Sequence, residues 1–182
     1  KLMLSGRDED TLTDLADAYD VPYKAADATD FDAVKELLEE ADETLDGLDG
    51  VVNAAGNLML RPAHRTSYEE YMATVHKNLT TAFAVTHAAG HVMRKGGSVV
   101  LMTSAAAQIG LPNHEAIAAA KGGVIALSRA AAASYANRNL RFNCVGPGLI
   151  DSPMTKDIVE NEQSLNYSID MHGLDRVGNF GF

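Results

Sequence analysis

The stretch Gly97-Ser98-Val99-Val100-Leu101-Met102-Thr103 is apolar on four successive residues, without the alternation of a half-exposed strand. A strand of this kind is buried on both faces, the pattern of parallel sheets that carry helices on either side. Downstream, Pro112-Asn113 punctuates the chain, and Asn113 is expected to cap a helix from His114 to about Ala136. Leu140 to Val145 then reads as a second strand, ended by Gly146-Pro147-Gly148. Upstream, Tyr68 to Arg94 is a long helical stretch, preceded by the strand Leu48 to Asn53. Farther back come a helix with Phe31, Val34, Leu37, Leu38 and Ala41 inward and Asp30 as its N-cap, and the strand Val21 to Ala26. A helix over Asp10 to Tyr19 and a strand from Lys1 to Ser5 complete the series. Strand and helix alternate throughout, which predicts an α/β fold around a parallel sheet. The tail beyond Asp151 reads as loop with one helix near Lys156 to Asn166.

A chain of 182 residues and 19.4 kDa is the size of one domain, and 46% apolar residues suffice for a core. Apolar runs are too short for a membrane span, so no transmembrane helix is expected. The single cysteine, Cys144, excludes an internal disulfide and suits a cytoplasmic setting. A net charge of -10 speaks against nucleic acid as the main partner. Residues 1–50 hold 16 acidic and 4 basic side chains, read here as a solvated helix surface. His87 and His91 stand four apart on a helix but lack a third ligand nearby, so no metal site is expected.

Ligands of parallel sheets bind at the carboxyl ends of the strands. Four features fall there or face there. Asn53-Ala54-Ala55-Gly56 ends a strand with residues small enough for a flat ligand to approach the backbone. Thr103-Ser104 places a hydroxyl at the end of the buried strand. Lys121 is the one charge among Ala118, Ala119, Ala120 and Gly122. Pro147-Gly148 opens the loop Leu149-Ile150-Asp151-Ser152-Pro153-Met154-Thr155.

In that order, over nearly the whole chain, these features resemble the short-chain dehydrogenase/reductase family. The resemblance implies a Rossmann-like doubly wound parallel sheet with helices on both faces, in a single dinucleotide-binding domain spanning residues 1–182. Asn53, Ala54, Ala55 and Gly56 match the turn that closes the adenine side of the cofactor site, with Ala54 where the family has Asn. Ser104, Asn78 and Lys121 match the family's serine, helix asparagine and cofactor-ribose lysine. Pro147, Gly148 and Ile150 match its Pro-Gly loop, with Ser152 in place of the threonine that meets the cofactor. Asp27 matches the aspartate at the adenine amine, with Ala28 beside it. Arg7 stands where a cation pairs with the 2'-phosphate of NADP, while Asp8 next to it keeps NAD open.

Two departures follow. The family's tyrosine, four residues before its lysine, falls on Ile117, and no tyrosine lies between Tyr71 and Tyr135. That phenol protonates a carbonyl oxygen as hydride arrives, and losing a general acid removes roughly 10²–10⁴-fold of rate. His114, seven residues before Lys121, lies about 20° from the same helix face and about 5 Å from the tyrosine position. It is the expected replacement acid, with Glu115 the second choice. The other departure is that no Gly-x-x-x-Gly-x-Gly turn occurs in the sequence. The resemblance places that turn before Lys1 and a further strand after Phe182, so the domain reads as incomplete at both ends.

The expected activity is hydride transfer between NADP(H) and a carbonyl or alcohol substrate. A cofactor-binding pseudoenzyme and a C=C reductase acting on enoyl thioesters are the alternatives. The resemblance also implies a homodimer or homotetramer packed through the helices of Tyr68 to Arg94 and His114 to Ala136.

Overall fold

A computed structural model of the chain describes residues 1–179, so the terminal Phe180-Gly181-Phe182 lies outside the described residues. The strands are β1 (Leu4–Gly6), β2 (Tyr23–Ala25), β3 (Gly50–Asn53), β4 (Gly97–Met102) and β5 (Leu140–Val145). All pairings are parallel and form two sheets, β1-β2 and β3-β4-β5. Val99 of β4 sits between Val51 and Phe142, which fixes the register of the larger sheet. The fold is the Rossmann-like α/β arrangement of parallel strands and crossover helices.

Helices α1 (Glu9–Tyr19) and α2 (Phe31–Leu45) form where an aspartate satisfies the first backbone donors. Asp8 accepts from the Thr11 N–H, and Asp30 accepts from those of Asp32 and Ala33. Glu9, Asp10 and Asp32 add negative charge in first turns, where the helix dipole favours it. Part of the acidic surplus of residues 1–50 thus serves helix ends. Both helices stop at an aspartate in the left-handed region, Asp20 and Asp46.

The expected long helix from Tyr68 is three pieces. Helix α3 (Tyr68–Val75) starts in a Ser67–Glu70 capping box, a π-helical turn follows over His76–Thr80, and α4 (Thr81–Val92) continues. The extra residue of a π turn leaves no trace in apolar periodicity, so the sequence pattern runs straight through it. Helix α5 (Glu115–Tyr135) also starts one residue later than expected. Asn113 has φ +64°, outside the cap conformation, and His114 takes the N-cap position.

The core joins Val34 and Leu38 of α2, Ala84, Val85 and Ala88 of α4, Val99 and Leu101 of β4, Val124 of α5, and Phe142 of β5. Val99 and Leu101 are fully buried, whereas Val100 and Met102 are half-buried, so the second face of β4 is covered in part. Gly97 holds the turn into β4 at φ +143°, where a Cβ would meet the Asp49 carbonyl oxygen at 2.7 Å. His87 packs its ring between Phe31 and His91, at centroid distances of 5.4 and 4.7 Å.

Helix α5 bears on the expectation that apolar runs are too short for a membrane span. With its following turn it spans 24 residues and is long and apolar enough to cross a membrane by length and composition. Its apolar character comes from alanines interrupted by single charges, which no uninterrupted run reveals. Its inner side, including Ile117, Val124 and Ala131, is buried in the fold, as in the core helix of an α/β domain. Beyond β5 the tail carries α6 (Lys156–Val159) and α7 (Glu162–Asp170) in place of a single helix. Residues 149–151 pair with Gly178: its N–H donates to the Leu149 carbonyl and its own carbonyl accepts from Asp151.

Candidate active site

Successive strands run β1 to β2 in one sheet and β3 to β4 to β5 in the other. The carboxyl ends of these strands carry Arg7, Asp27, Asn53 to Gly56, Ser104, and Pro147 to Gly148. Such ends form the ligand-binding rim of open parallel sheets.

The centre of the rim is built on Lys121. Its side chain is buried in the middle of α5, and Nζ donates to the Met102 carbonyl at 2.9 Å. Burial pushes its pKa below the ordinary lysine value. The Thr103 hydroxyl donates to the Lys121 carbonyl at 2.8 Å, so the end of β4 clasps both the backbone and the side chain of this residue. An ammonium has three protons, and one is engaged with protein here.

Asn78 lies fully buried in the π-helical turn. Its Nδ2 donates to the Thr74 carbonyl at 2.9 Å and to Asn57 Oδ1 at 2.7 Å, and its Oδ1 accepts from the Asn57 N–H. A Cβ on Gly56 would sit 2.7 Å from Asn78 Oδ1 and 3.4 Å from Lys121 Nζ. Asn78 and Lys121 thus bring their polar ends to one point, and only glycine fits there. Asn53 is buried, accepting from the Ala55 N–H and donating to Thr81, which shapes the turn through Ala54 and Ala55.

Ser104 Oγ accepts from the Ala106 N–H at 3.2 Å, which leaves its own proton to donate. Ile117 is 3% exposed and is buried, although it stands outside the principal apolar cluster. His114 is half-buried, with Nδ1 2.7 Å from the Pro112 carbonyl oxygen. A carbonyl partner requires that Nδ1 carry a proton, so in the neutral ring Nε2 is the acceptor. Glu115 is exposed and lines a shallow cavity with Ala63, Thr66, Ser67, Tyr68 and Tyr71. Neither Asn78, Ser104 nor Lys121 borders that cavity.

At the other end of the rim, Asp27 accepts from the backbone N–H and the hydroxyl of Thr29 at 2.9 and 2.8 Å. These two bonds, then the positive charges of Arg7 and His76, hold its carboxyl below the usual range. Arg7 and Asp27 are therefore neighbours across the ends of β1 and β2, with Ala28 half-buried beside them. On the β5 side, the Pro147 carbonyl accepts from Ala105, and Gly148 packs against the ring of His172. The Thr155 hydroxyl donates to the Ile150 carbonyl, and the Ser152 N–H donates to Thr155 Oγ1.

Three residues around the rim escape a reading of motifs: Asn57, His76 and His172. Asn57 directly follows the small-residue turn, and its pairing with Asn78 spans 21 residues of sequence. Asn57→Ala leaves Nδ2 of Asn78 with Thr74 alone and is expected to cost about 1 kcal/mol. The urea midpoint checks this, at unchanged slope.

A family profile described as enoyl-(acyl carrier protein) reductase matches residues 1–180. The chain is 38% identical over 134 residues to cyclopentanol dehydrogenase of a Comamonas strain, which covers 72% of this chain and 52% of that protein. It is 36% identical over 129 residues to a protein of Xanthobacter autotrophicus named inactive 2-(S)-hydroxypropyl-CoM dehydrogenase 2, covering 70% and 56%. The chain thus spans little more than half the length of these curated relatives. Among solved structures, a gluconate 5-dehydrogenase of Burkholderia cenocepacia, in complex with NADP and tartrate, superposes with a TM-score of 0.91. That match covers 97% of this chain and 72% of the other at 21% identity, and shows the shared fold.

Proposed function

The chain belongs to the short-chain dehydrogenase/reductase family, and from that premise we propose an NADP(H)-dependent oxidoreductase that moves hydride to or from a carbonyl or alcohol. The observation that carries the proposal is the convergence of Lys121 and Asn78 on Gly56. A buried cation with protons to spare, beside a position that admits no side chain, suits a ribose hydroxyl. Arg7 and Asp27 suit the adenosine end, Arg7 toward a 2'-phosphate. No Gly-x-x-x-Gly-x-Gly turn for the pyrophosphate occurs in residues 1–182, so the residues present fit the two ends of the dinucleotide.

When bound, the dinucleotide supplies or takes up the hydride. Lys121 would hold the nicotinamide ribose, Asn53, Ala54, Ala55 and Gly56 would close the adenine side of the cofactor site, and Pro147, Gly148, Ile150 and Ser152 would meet the cofactor from the loop after β5. Ser104 Oγ–H would donate to the substrate oxygen. His114 would give the proton from Nε2 in its charged form, with the Pro112 carbonyl orienting the ring through Nδ1. Asn78 would order the water that relays it. Family resemblance supports a homodimer or homotetramer through α3, α4 and α5, and Phe83 of α4 is half exposed. The single cysteine supports a cytoplasmic setting.

Two alternatives rest on specific observations. Burial of Ile117 at the tyrosine position, together with a relative named inactive, favours a cofactor-binding pseudoenzyme. The description of the matching profile favours reduction of a C=C bond in an acyl thioester. NADPH consumption with ketones, aldehydes and enoyl thioesters separates the three. Carbonyl reduction is expected, and His114→Ala is expected to lower it by roughly 10²-fold. Turnover of enoyl thioesters alone supports the C=C reading, and cofactor binding without turnover supports the pseudoenzyme. Unchanged carbonyl turnover in His114→Ala removes the histidine from the mechanism.

A further inference from the structure

We propose that His172 is a positioning residue, a proton-sensitive latch that ties α7 to the Pro147-Gly148-Leu149 turn and so sets how firmly that turn holds the cofactor. The Leu149 N–H donates to His172 Nε2 at 3.2 Å, and Nδ1 lies 2.6 Å from the Ser168 carbonyl oxygen. The two contacts define one tautomer, with Nδ1 protonated toward Ser168 and Nε2 accepting from Leu149. One ring therefore joins a helix of the tail to the backbone of the loop that ends β5. Gly148 is part of the same fit, because a Cβ there would clash with Nε2. Farther along, Gly178 pairs with Leu149 and Asp151, so the turn is held from the tail at two places.

The latch closes only with neutral imidazole. A proton on Nε2 turns the acceptor into a donor that faces another donor, the Leu149 N–H. The charged side chains on the three segments around the ring are Asp151 on the turn, Glu162 and Asp170 on α7, and Asp175 and Arg176 on the tail. Among the described residues the imidazole bonds only the Leu149 N–H and the Ser168 carbonyl, and none of these charged groups. The consequence for the cofactor rests on the function proposed above, which places Pro147 and Gly148 against the dinucleotide. The latch itself rests on the contacts of His172.

Two readouts on the full-length protein test these parts separately. Hydrogen exchange at the Leu149 amide and over residues 162–170 reads the latch, from about pH 8 to about pH 5, where histidines charge. Protection is expected to fall with pH in the unaltered protein and to be low at every pH in His172→Ala. His172→Gln offers an uncharged acceptor and is expected to stay protected across the range. NADPH titration reads the coupling. His172→Ala is expected to weaken NADPH binding about fivefold at pH 8, the loss of one neutral hydrogen bond, and His172→Gln to restore it. Equal Leu149 protection in the unaltered protein and His172→Ala overturns the latch, as does the same pH profile in His172→Gln. A protein that binds NADPH with equal affinity in all three forms overturns the coupling. Absence of NADPH binding to the unaltered protein overturns the cofactor reading instead, and the exchange data still judge the latch.

Discussion

Ile117→Tyr is expected to raise NADPH-dependent carbonyl reduction by roughly 10²-fold or more, the contribution of a positioned general acid. Residue 117 lies one helical turn before Lys121, so side chains at the two positions share a face. The Lys121 ammonium would favour the ionised phenol and bring its pKa toward neutrality. Ile117 is buried but outside the principal apolar cluster, so a larger ring there disturbs a margin of the core and not its centre. Overpacking is expected to cost about 1–3 kcal/mol, which a denaturant midpoint reads independently of activity. Ile117→Phe carries the same bulk without the hydroxyl and isolates the proton. A rate increase in Ile117→Tyr with none in Ile117→Phe assigns the gain to the acid. Equal rates in the two variants show that the remaining residues do not present a substrate oxygen to this position.

The same neighbourhood shows what a sequence can disclose. Strands were legible because burial writes itself into the residue pattern, as a consecutive apolar run in β4, which ends one residue short of Thr103, and as the alternation of Leu140 and Phe142 with Arg141 and Asn143 in β5, which spans Leu140–Val145 as read. Residues at strand ends were legible for the same reason, since locating the strand locates its carboxyl end. Asn78 and Lys121 were legible only through family resemblance, because nothing in their spacing, 43 residues apart, brings them to Gly56. The π turn that carries Asn78 was hidden, as was the left-handed Asn113 that delays α5. Both depend on a backbone choice that leaves residue types unchanged. Asn57 and His172 were hidden for another reason. Each sits in a loop, where no periodicity ranks one polar residue above its neighbours, and each acts on a partner at least 20 residues away. Glu115, one residue from His114, is exposed and lines a shallow cavity that none of Asn78, Ser104 and Lys121 borders.

Lys121→Met is expected to weaken NADPH binding by roughly 10-fold to 100-fold, the loss of a charge-assisted hydrogen bond, while leaving the fold at least as stable. Burying the ammonium is costly to the fold. Desolvation lowers the pKa of Lys121 in the folded protein, whereas the unfolded chain keeps the ordinary value of about 10.4. Below the lowered value both states are charged, and the fold bears the whole penalty. Between the two values the unfolded chain binds more protons than the folded one, so stability rises with pH. Above both the penalty is gone. Methionine has nearly the length of lysine and no charge, so the variant gains most at neutral pH and its advantage shrinks as pH rises through that window. Urea unfolding of both proteins at about pH 7 and about pH 10 measures the difference. Against this stands the lost bond to the Met102 carbonyl, which limits the gain to about 1–2 kcal/mol. A variant that is more stable yet binds NADPH poorly identifies a cation kept at a cost to the fold because a ligand needs it. A variant that is less stable at both pH values and binds NADPH as before makes Lys121 a strut of β4 and α5, and the site would then have to be sought elsewhere along the rim.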